Sequence, residues 1–437
     1  ATLSSSTPTS ITPNGNVYTL GLGISGMPNG SETVTINPVD DGIYDIDGNE
    51  ASTTQSNNTV NLNDKLLPII TGVSLSSDNS VLTVTMSEAV YSTNGGSGVL
   101  DAPDFIFSLS SGSASLTSVT PTNINAVNLF TYELGVGLSG TSSGETLTVN
   151  PVDDSIYDVN GNEASTSQSN NTATLTDLNG PMITSVSSST ADGLYKIGEQ
   201  IAIDVTVNES VVVTGTPQLT LETGATDAVV NYSSGSGSNT LVFNYTIASG
   251  DINSDLEYQS TSALALNGGT IKDASGNAST ITLPTLGTAN SLAENKALVV
   301  DGVVPTFMQP PLTSIANNNT YIDIVLTEAV YNASAGSGAL EVADFTLTFA
   351  QNSGNATGAS ISSVKQNDNV AEGSASALAG GEIVIRAFLS ITGTPSGVET
   401  ITITPVNATN IYDLAGNAMP TSANVVLTLN DQSAATI

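Results

Sequence analysis

"SIYDVNGNEASTSQSNNTATL" occupies residues 155–175, and "GIYDIDGNEASTTQSNNTVNL" occupies 42–62. The phrase returns in shortened form as "TIKDASGNAS" (270–279) and "NIYDLAGNAM" (410–419). Its aligned acids Asp45, Asp158, Asp273 and Asp413 stand 113, 115 and 140 residues apart. Steps of that size exceed the roughly 20–50-residue units of solenoids and propellers, so each copy is expected to own a hydrophobic core. The chain reads as a string of separate modules.

Within 67–180, short apolar or alternating runs fall at "IITGVSLS" (69–76), "VLTVTMS" (81–87), "DFIFSLS" (104–110), "ASLTSVT" (114–120), "LFTYELGVG" (129–137), "ETLTVNPV" (145–152) and "NTATLTD" (171–177). About seven short strands separated by Gly, Asn, Asp and Ser turns predict a two-sheet sandwich. A helical turn is expected only in "GGSGVLDAPDF" (95–105), with Pro103 near its start. The scheme repeats over 181–302, with "IAIDVTV" (201–207), "PQLTLET" (217–223), "AVVNYSS" (228–234) and "TLVFNYTI" (240–247). Over 303–437, "YIDIVLTEAVYNASAGSGALEVADFTLTF" (321–349) parallels residues 81–109, and "QNDNVAEGSASALAGG" (366–381) marks an insertion. Residues 1–66 are different. The stretch 10–41 lines up with 123–154, and no counterpart of the first three strands precedes it, so this is half of a sandwich. Two readings stay open: a boundary inside a longer array, or a module completed by strands from another chain.

Composition agrees with an all-β array. Hydrophobic residues make up 39% of the chain and charged residues 11%, and the polar remainder is dominated by Ser, Thr, Asn and Gly, a usage that disfavours helix. No apolar run approaches the roughly 18 residues of a membrane helix, and Ala1 opens neither a signal peptide nor an initiator methionine, so the chain reads as a mature segment. The absence of Cys, His and Trp removes disulfides, thiol nucleophiles, imidazole bases and thiolate- or imidazole-bound metals, leaving oxygen ligands. Six basic and 40 acidic side chains give a net charge of −34, which argues against nucleic acid and anionic membrane surfaces as partners.

The runs "SEAVYSTNGGSG" (87–98), "NPVDDSIYDVNGNEAS" (150–165), "DGLYKIGEQIAIDVTVNESVVVTGTPQLTLETG" (192–224) and "ALALNGGTIKDASGNA" (263–278) resemble the bacterial immunoglobulin-like repeats of large secreted adhesins and surface-layer proteins. The likeness spans nearly the whole chain. It implies an extracellular, cell-surface protein of tandem immunoglobulin-like β-sandwiches, often stiffened by calcium. Its adjacent modules, of the same chain or of neighbouring subunits, would be its partners. The third and fourth copies carry fewer acids in the Asp-x-x-Gly-Asn turn, which weakens any inherited metal site there.

In a sandwich of this type, strands alternate direction. The start of the first strand, the loop after the second and the loop before the last therefore gather at one end. In the second module that end should collect Asp64, Glu88, Asp153, Asp154, Asp158, Asn160 and Asn162. The counterparts are Asp177, Glu209, Asp273 and Asn277 in the third module, and Asp301, Glu328, Asp413 and Asn417 in the fourth. The opposite end of the third module adds Asp192, Asp251, Asp255 and Glu257, expected to face Asp301 and Glu328. Carboxylates that converge without Lys or Arg repel unless a cation joins them, and hard oxygens at flexible spacing suit Ca²⁺ better than Mg²⁺. A plain turn accounts for Asp45, Gly48 and Asn49, because Asp and Asn bond the nearby backbone and Gly supplies positive φ. That turn leaves Asp40, Asp41 and Asp47 over as further candidate ligands.

Other motifs are discounted. "GLGISG" (21–26) and "GVGLSG" (135–140) open no helix of a βαβ unit, and "GTSSG" (140–144) has no His to build a triad. "DIDGNE" (45–50) puts Gly at position four and Ser56 at position twelve of an EF-hand, where Glu is required. Acids that follow the module ends instead of one pocket, and the lack of Trp, argue against a glycoside hydrolase and against an enzyme in general. The expectation is an elongated rod of β-sandwiches acting as the stalk of an adhesin of unknown tip ligand. The alternative is a filament or surface-layer subunit assembled by strand complementation through the half domain.

Overall fold

The alternation in "VLTVTM" becomes the strand Val81–Met86, which buries Leu82, Val84 and Met86 on one face. The structure, a computed structural model, describes residues 1–334 and 336–434. Two units are separable, Ala1–Asn179 and Gly180–Ile437. Helix among the described residues is confined to one four-residue α-helix and three 3₁₀ turns, as the composition predicts.

In the first unit Val81–Met86 lies between Ile70–Leu75 and Thr131–Gly135, and Ile124–Ala126 completes this four-stranded antiparallel sheet. The facing sheet is Phe105–Leu109, Thr146–Pro151 and Thr172–Thr174. Phe105, Phe107, Leu147 and Val149 meet Leu82, Val84, Tyr132 and Leu134 in one core between the sheets. Two sequence expectations need adjustment. "ASLTSVT" supplies only Ser115–Leu116, which pairs with Leu138–Ser139, while the hairpin partner of Thr131–Gly135 is Ile124–Ala126, too short and polar to stand out as a strand. The helical turn is a single 3₁₀ turn, Ala102–Asp104.

Residues 1–66 form three short pairs: Ser10–Asn14 with Val17–Gly21, Thr2–Leu3 with Ile24–Ser25, and Thr33–Thr35 with Thr59–Asn61. Within residues 1–66, Val34 is the one buried apolar side chain. Leu22, Ile36 and Ile43 are 41%, 41% and 56% exposed, whereas their counterparts Val136, Val149 and Ile156 are 8%, 0% and 0% exposed. The apolar pattern is the same; the covering strands are what differ.

In the second unit, the long strand Gln200–Thr214 pairs with Ile183–Ser188, Ser238–Thr246 and Thr270–Lys272. A separate ribbon runs Gly193–Lys196 parallel to Leu298–Asp301, with Ile252–Asn253 antiparallel on its other side. Its core extends from Val186 to Val300. A further core, from Phe307 to Leu429, packs Tyr321–Val330, Glu382–Thr392 and Gly358–Gln366 against Phe345–Ala350, Thr400–Pro405 and Val425–Thr428. The insertion is fastened by Arg386, 3% exposed. This guanidinium donates to Asp323 Oδ1 (2.7 Å) and Oδ2 (2.9 Å) and to Asn367 Oδ1 (2.7 Å), and lies 3.7 Å from the Tyr321 ring centre.

Candidate metal centre

The Asp-x-x-Gly-Asn turn folds the same way wherever it occurs. Asp158 Oδ1 accepts from the backbone N–H of Asn160 (2.8 Å) and Asn162 (2.7 Å), and Oδ2 accepts from Asn162 Nδ2 (2.7 Å). Asp413 accepts from Gly416 and Asn417 N–H (2.6 and 2.8 Å) and from Asn417 Nδ2 (2.8 Å). Asp45 and Asp273 are held likewise by Asn49 and Asn277. Asn162 thus orients an acid through its side-chain amide. Gly161 and Gly416 sit at φ 83° and 92°, which a β-carbon resists.

Three of these turns lie against a glutamate: Asp273 beside Glu209 within the second unit, and the turns of Asp158 and Asp413. Tyr157 and Tyr91 exchange N–H···O bonds of 2.7 and 2.9 Å, which pins the turn beside the chain leaving Val81–Met86, where Glu88 sits. Tyr412 and Tyr331 do the same at 2.8 Å for the turn beside Glu328. The segment entering each module adds a third acid: Asp64 before Ile70, and Asp301 at the end of Leu298–Asp301. One carboxylate oxygen from each of Asp64, Glu88 and Asp158 lies within 4.8 Å of the others, and the same holds for Asp301, Glu328 and Asp413. Asp158 and Asp413 are fully buried.

These triads are electrostatically costly as they stand. Two unit charges about 4–5 Å apart repel by roughly 4 kcal/mol at an effective dielectric of 20. The ion pairs among the described residues join Ala1 to Glu32, Lys296 to Asp192 and Arg386 to Asp323, so neither triad is paired with a basic group. Burial, with the charges of Asp158 and Asp64, pushes Glu88 up to about 7. Burial, with the charges of Asp413 and Asp301, does the same for Glu328, also to about 7. Asp301 is raised too, chiefly by burial, with Asp413 adding to it. Glu328 Oε1 is buried with no hydrogen-bond partner. Three converging carboxylates with an orphaned oxygen are a donor set that a hard divalent cation fits, its remaining positions taken by backbone carbonyls or water.

Asp177 lies in the first unit and accepts from Asn179 N–H (2.9 Å), while Glu209 and Asp273 lie in the second. Asp40, Asp41, Asp45, Asp47, Asp153 and Asp154 belong to no close group of three acids among the described residues. Asp41 and Asp154 are turn residues at φ 58° and 57°, each donating its N–H to Glu50 or Glu163 (2.6 Å). Asp192, Asp251, Asp255 and Glu257 belong to no close group of three acids among the described residues. Asp192 pairs with Lys296 (3.1 Å), Asp251 accepts from Tyr245 Oη (2.6 Å) and Ala248 N–H (2.9 Å), and Glu257 accepts from Leu292 N–H (3.1 Å). Asp255 is exposed. Local donors within its own module hold each of the three partnered acids.

Sequence reasoning passed over two buried glutamates, Glu145 and Glu399, 4% and 0% exposed. Burial alone would raise Glu145, but N–H bonds from Ala114 (2.8 Å) and Ser143 (2.7 Å) outweigh it and hold the group down to about 2. Glu399 is held at about 2 in the same way by Ala356 and Ser396. The signal was the recurring Glu-Thr before a strand, in "SETVTI" (31–36), "ETLTV" (145–149) and "ETITI" (399–403).

No family description matches the chain, and no curated protein does. Among solved structures, the chain is similar to the N-terminal part of the bacterial S-layer protein SbsC, at 16% identity and a TM-score of 0.20, over 41% of this chain and 44% of that one. It is similar to the Escherichia coli adhesin FdeC at 13% identity and a TM-score of 0.25, over 83% and 96%. An I-band fragment of titin matches at 10% identity and a TM-score of 0.24, over 84% and 95%. The chain spans about half the length of the SbsC structures it matches.

Proposed function

We propose that the chain is a structural segment of a bacterial cell-surface protein, an adhesin stalk whose β-sandwich modules, bounded near residues 66, 180 and 302, are kept in line by calcium bound at the seams. One observation carries this reading: an acid from the entering segment, a glutamate beside the second strand and a turn aspartate recur as a set at Asp64–Glu88–Asp158 and Asp301–Glu328–Asp413. An ion shared this way would join the end of one module to two loops of the next and would restrict bending between them. Affinity in the range of about 10⁻⁴–10⁻³ M suffices outside a cell. Isothermal titration with Ca²⁺ and elemental analysis of the purified chain test the reading. Absence of bound calcium together with no heat on titration overturns it.

The exposed face of residues 1–66 favours a second reading, assembly into a filament or surface layer by strands donated to the half domain. Leu22, Ile36 and Ile43 line an apolar hollow of about 370 Å³ with Leu3, Ile11 and Leu20. Electron microscopy separates the readings, because ordered polymers of the purified chain would support the second and isolated particles the first.

A further inference from the structure

The seam after Asp301 is built differently from the seam after Asp64. Asn417, 4% exposed, donates through Nδ2 to Asp413 Oδ2 (2.8 Å) and also to the backbone oxygen of Asp301 (2.9 Å), while its Oδ1 accepts from Ile197 N–H (3.0 Å). Beside it, Lys196 Nζ donates to the carbonyl of Gly416 (3.2 Å). Lys196 and Asp301 are the paired last residues of the parallel strands Gly193–Lys196 and Leu298–Asp301. A single carboxamide and a single ammonium therefore fasten the ends of both strands to the turn of the following module.

Among the described residues, nothing of this kind is present at the first seam. Asn162, which stands where Asn417 stands, directs Nδ2 to Asp158 (2.7 Å), and the direct bond to the entering segment is Asn160 Nδ2 to Asp64 Oδ2 at 3.3 Å. The turns are alike; the added part is "DGLYKIGE" (192–199), inserted between the first two strands of its module. A neutral amide buried between two modules keeps its hydrogen bonds when chelator or salt is added, because desolvated hydrogen bonds are little screened.

We infer that Asn417 and Lys196 form a direct latch that holds the module of residues 181–302 against that of residues 303–437 without an ion. The latch stands whether or not the neighbouring carboxylates take a cation.

The chain contains no Cys, so two introduced cysteines give unique spin-label positions. Thr246→Cys and Val426→Cys place labels on exposed strand positions of the two modules. Val60→Cys and Ser108→Cys flank the first seam in the same manner. Dipolar distance measurements on the full chain in EDTA are expected to keep a single narrow distribution across the second seam. That distribution should be lost in Asn417→Ala and in Lys196→Ala. Lys196 lies outside the core of the following module, so a broadened distribution in its variant, with that module's melting transition unchanged, excludes simple misfolding. If the native chain in EDTA is as broad as the Asn417→Ala chain, or both variants stay narrow, the latch is overturned. Failure of the calcium reading shows elsewhere, as a first seam whose width ignores added Ca²⁺.

Discussion

Raising the pH without divalent cations is expected to destabilise the module built around Glu328, and calcium to restore it. Glu328 keeps its proton up to about 7, against 4.5 for an ordinary glutamate, because burial and the charges of Asp413 and Asp301 oppose ionisation. Folding therefore takes up a proton in that window. The folded state is favoured fully below about 4.5, loses stability as the pH climbs to about 7, and changes little above it. At about 1.4 kcal/mol per pH unit the shift has a face value of ~3 kcal/mol, which the water still reaching this partly exposed side chain reduces to roughly 1–2 kcal/mol. Calcium at about 10–100 times its dissociation constant would return about 1.4–2.7 kcal/mol. For a module of this size each kcal/mol moves Tm by roughly 3–5 °C. Calorimetry of the full chain near pH 5 and pH 8, with EDTA or millimolar calcium, should show a transition that falls with pH in EDTA and recovers with calcium. Glu328→Gln keeps the shape and removes the ionisation, so it should raise Tm in EDTA at the higher pH and blunt the calcium response. A transition indifferent to calcium at both pH values, or a Glu328→Gln chain that behaves as the native one, would refute the reasoning.

Ile156→Ala is expected to cost about 2–5 kcal/mol in a urea melt, whereas Ile43→Ala at the equivalent position should cost under about 0.5 kcal/mol, because one side chain is enclosed and the other is not. Equal costs would mean that the half domain is covered in solution. Glu145 holds its charge down to about 2, so the stability it contributes is present above about 4.5 and is lost as the pH falls from there towards 2. Glu145→Gln should remove that acid-side slope and cost about 1–3 kcal/mol near neutrality, read by denaturant titration. Arg386→Lys should cost about 2–4 kcal/mol in the same assay, since an ammonium cannot make the forked contact to Asp323 and also reach Asn367.

The strand pattern was legible because sandwich strands bury alternate residues, and period-two runs such as "VLTVTM" carry that signal locally. Ile124–Ala126 was missed because a three-residue edge strand owes its place to its hairpin partner, not to its own composition. The gathering of Asp64, Glu88 and Asp158 followed from strand direction alone, which fixes which loops share an end. Strand direction says nothing about local donors, and Asp192, Asp251 and Glu257 each have one: Lys296, Tyr245 and the N–H groups opening Leu292–Asn295. Asp41 and Asp154 hold left-handed turn positions, and a turn aspartate of that kind and a metal-binding one read alike in sequence. Asn417 carried no signal distinguishing it from Asn162, since what sets it apart is the insertion more than 200 residues upstream.

The parallel run of Gly193–Lys196 beside Leu298–Asp301 has a mechanical consequence. When the module is pulled by its ends and Ile183–Ser188 has been stripped from Gln200–Thr214, tension reaches one ribbon strand at Gly193 and the other at Asp301, at opposite ends of the ribbon. Its rungs are then strained side by side in shear and must rupture together. An antiparallel hairpin tugged at its open end unzips one rung at a time. Along this chain, the module with the sheared ribbon is the one expected to yield last under stretch.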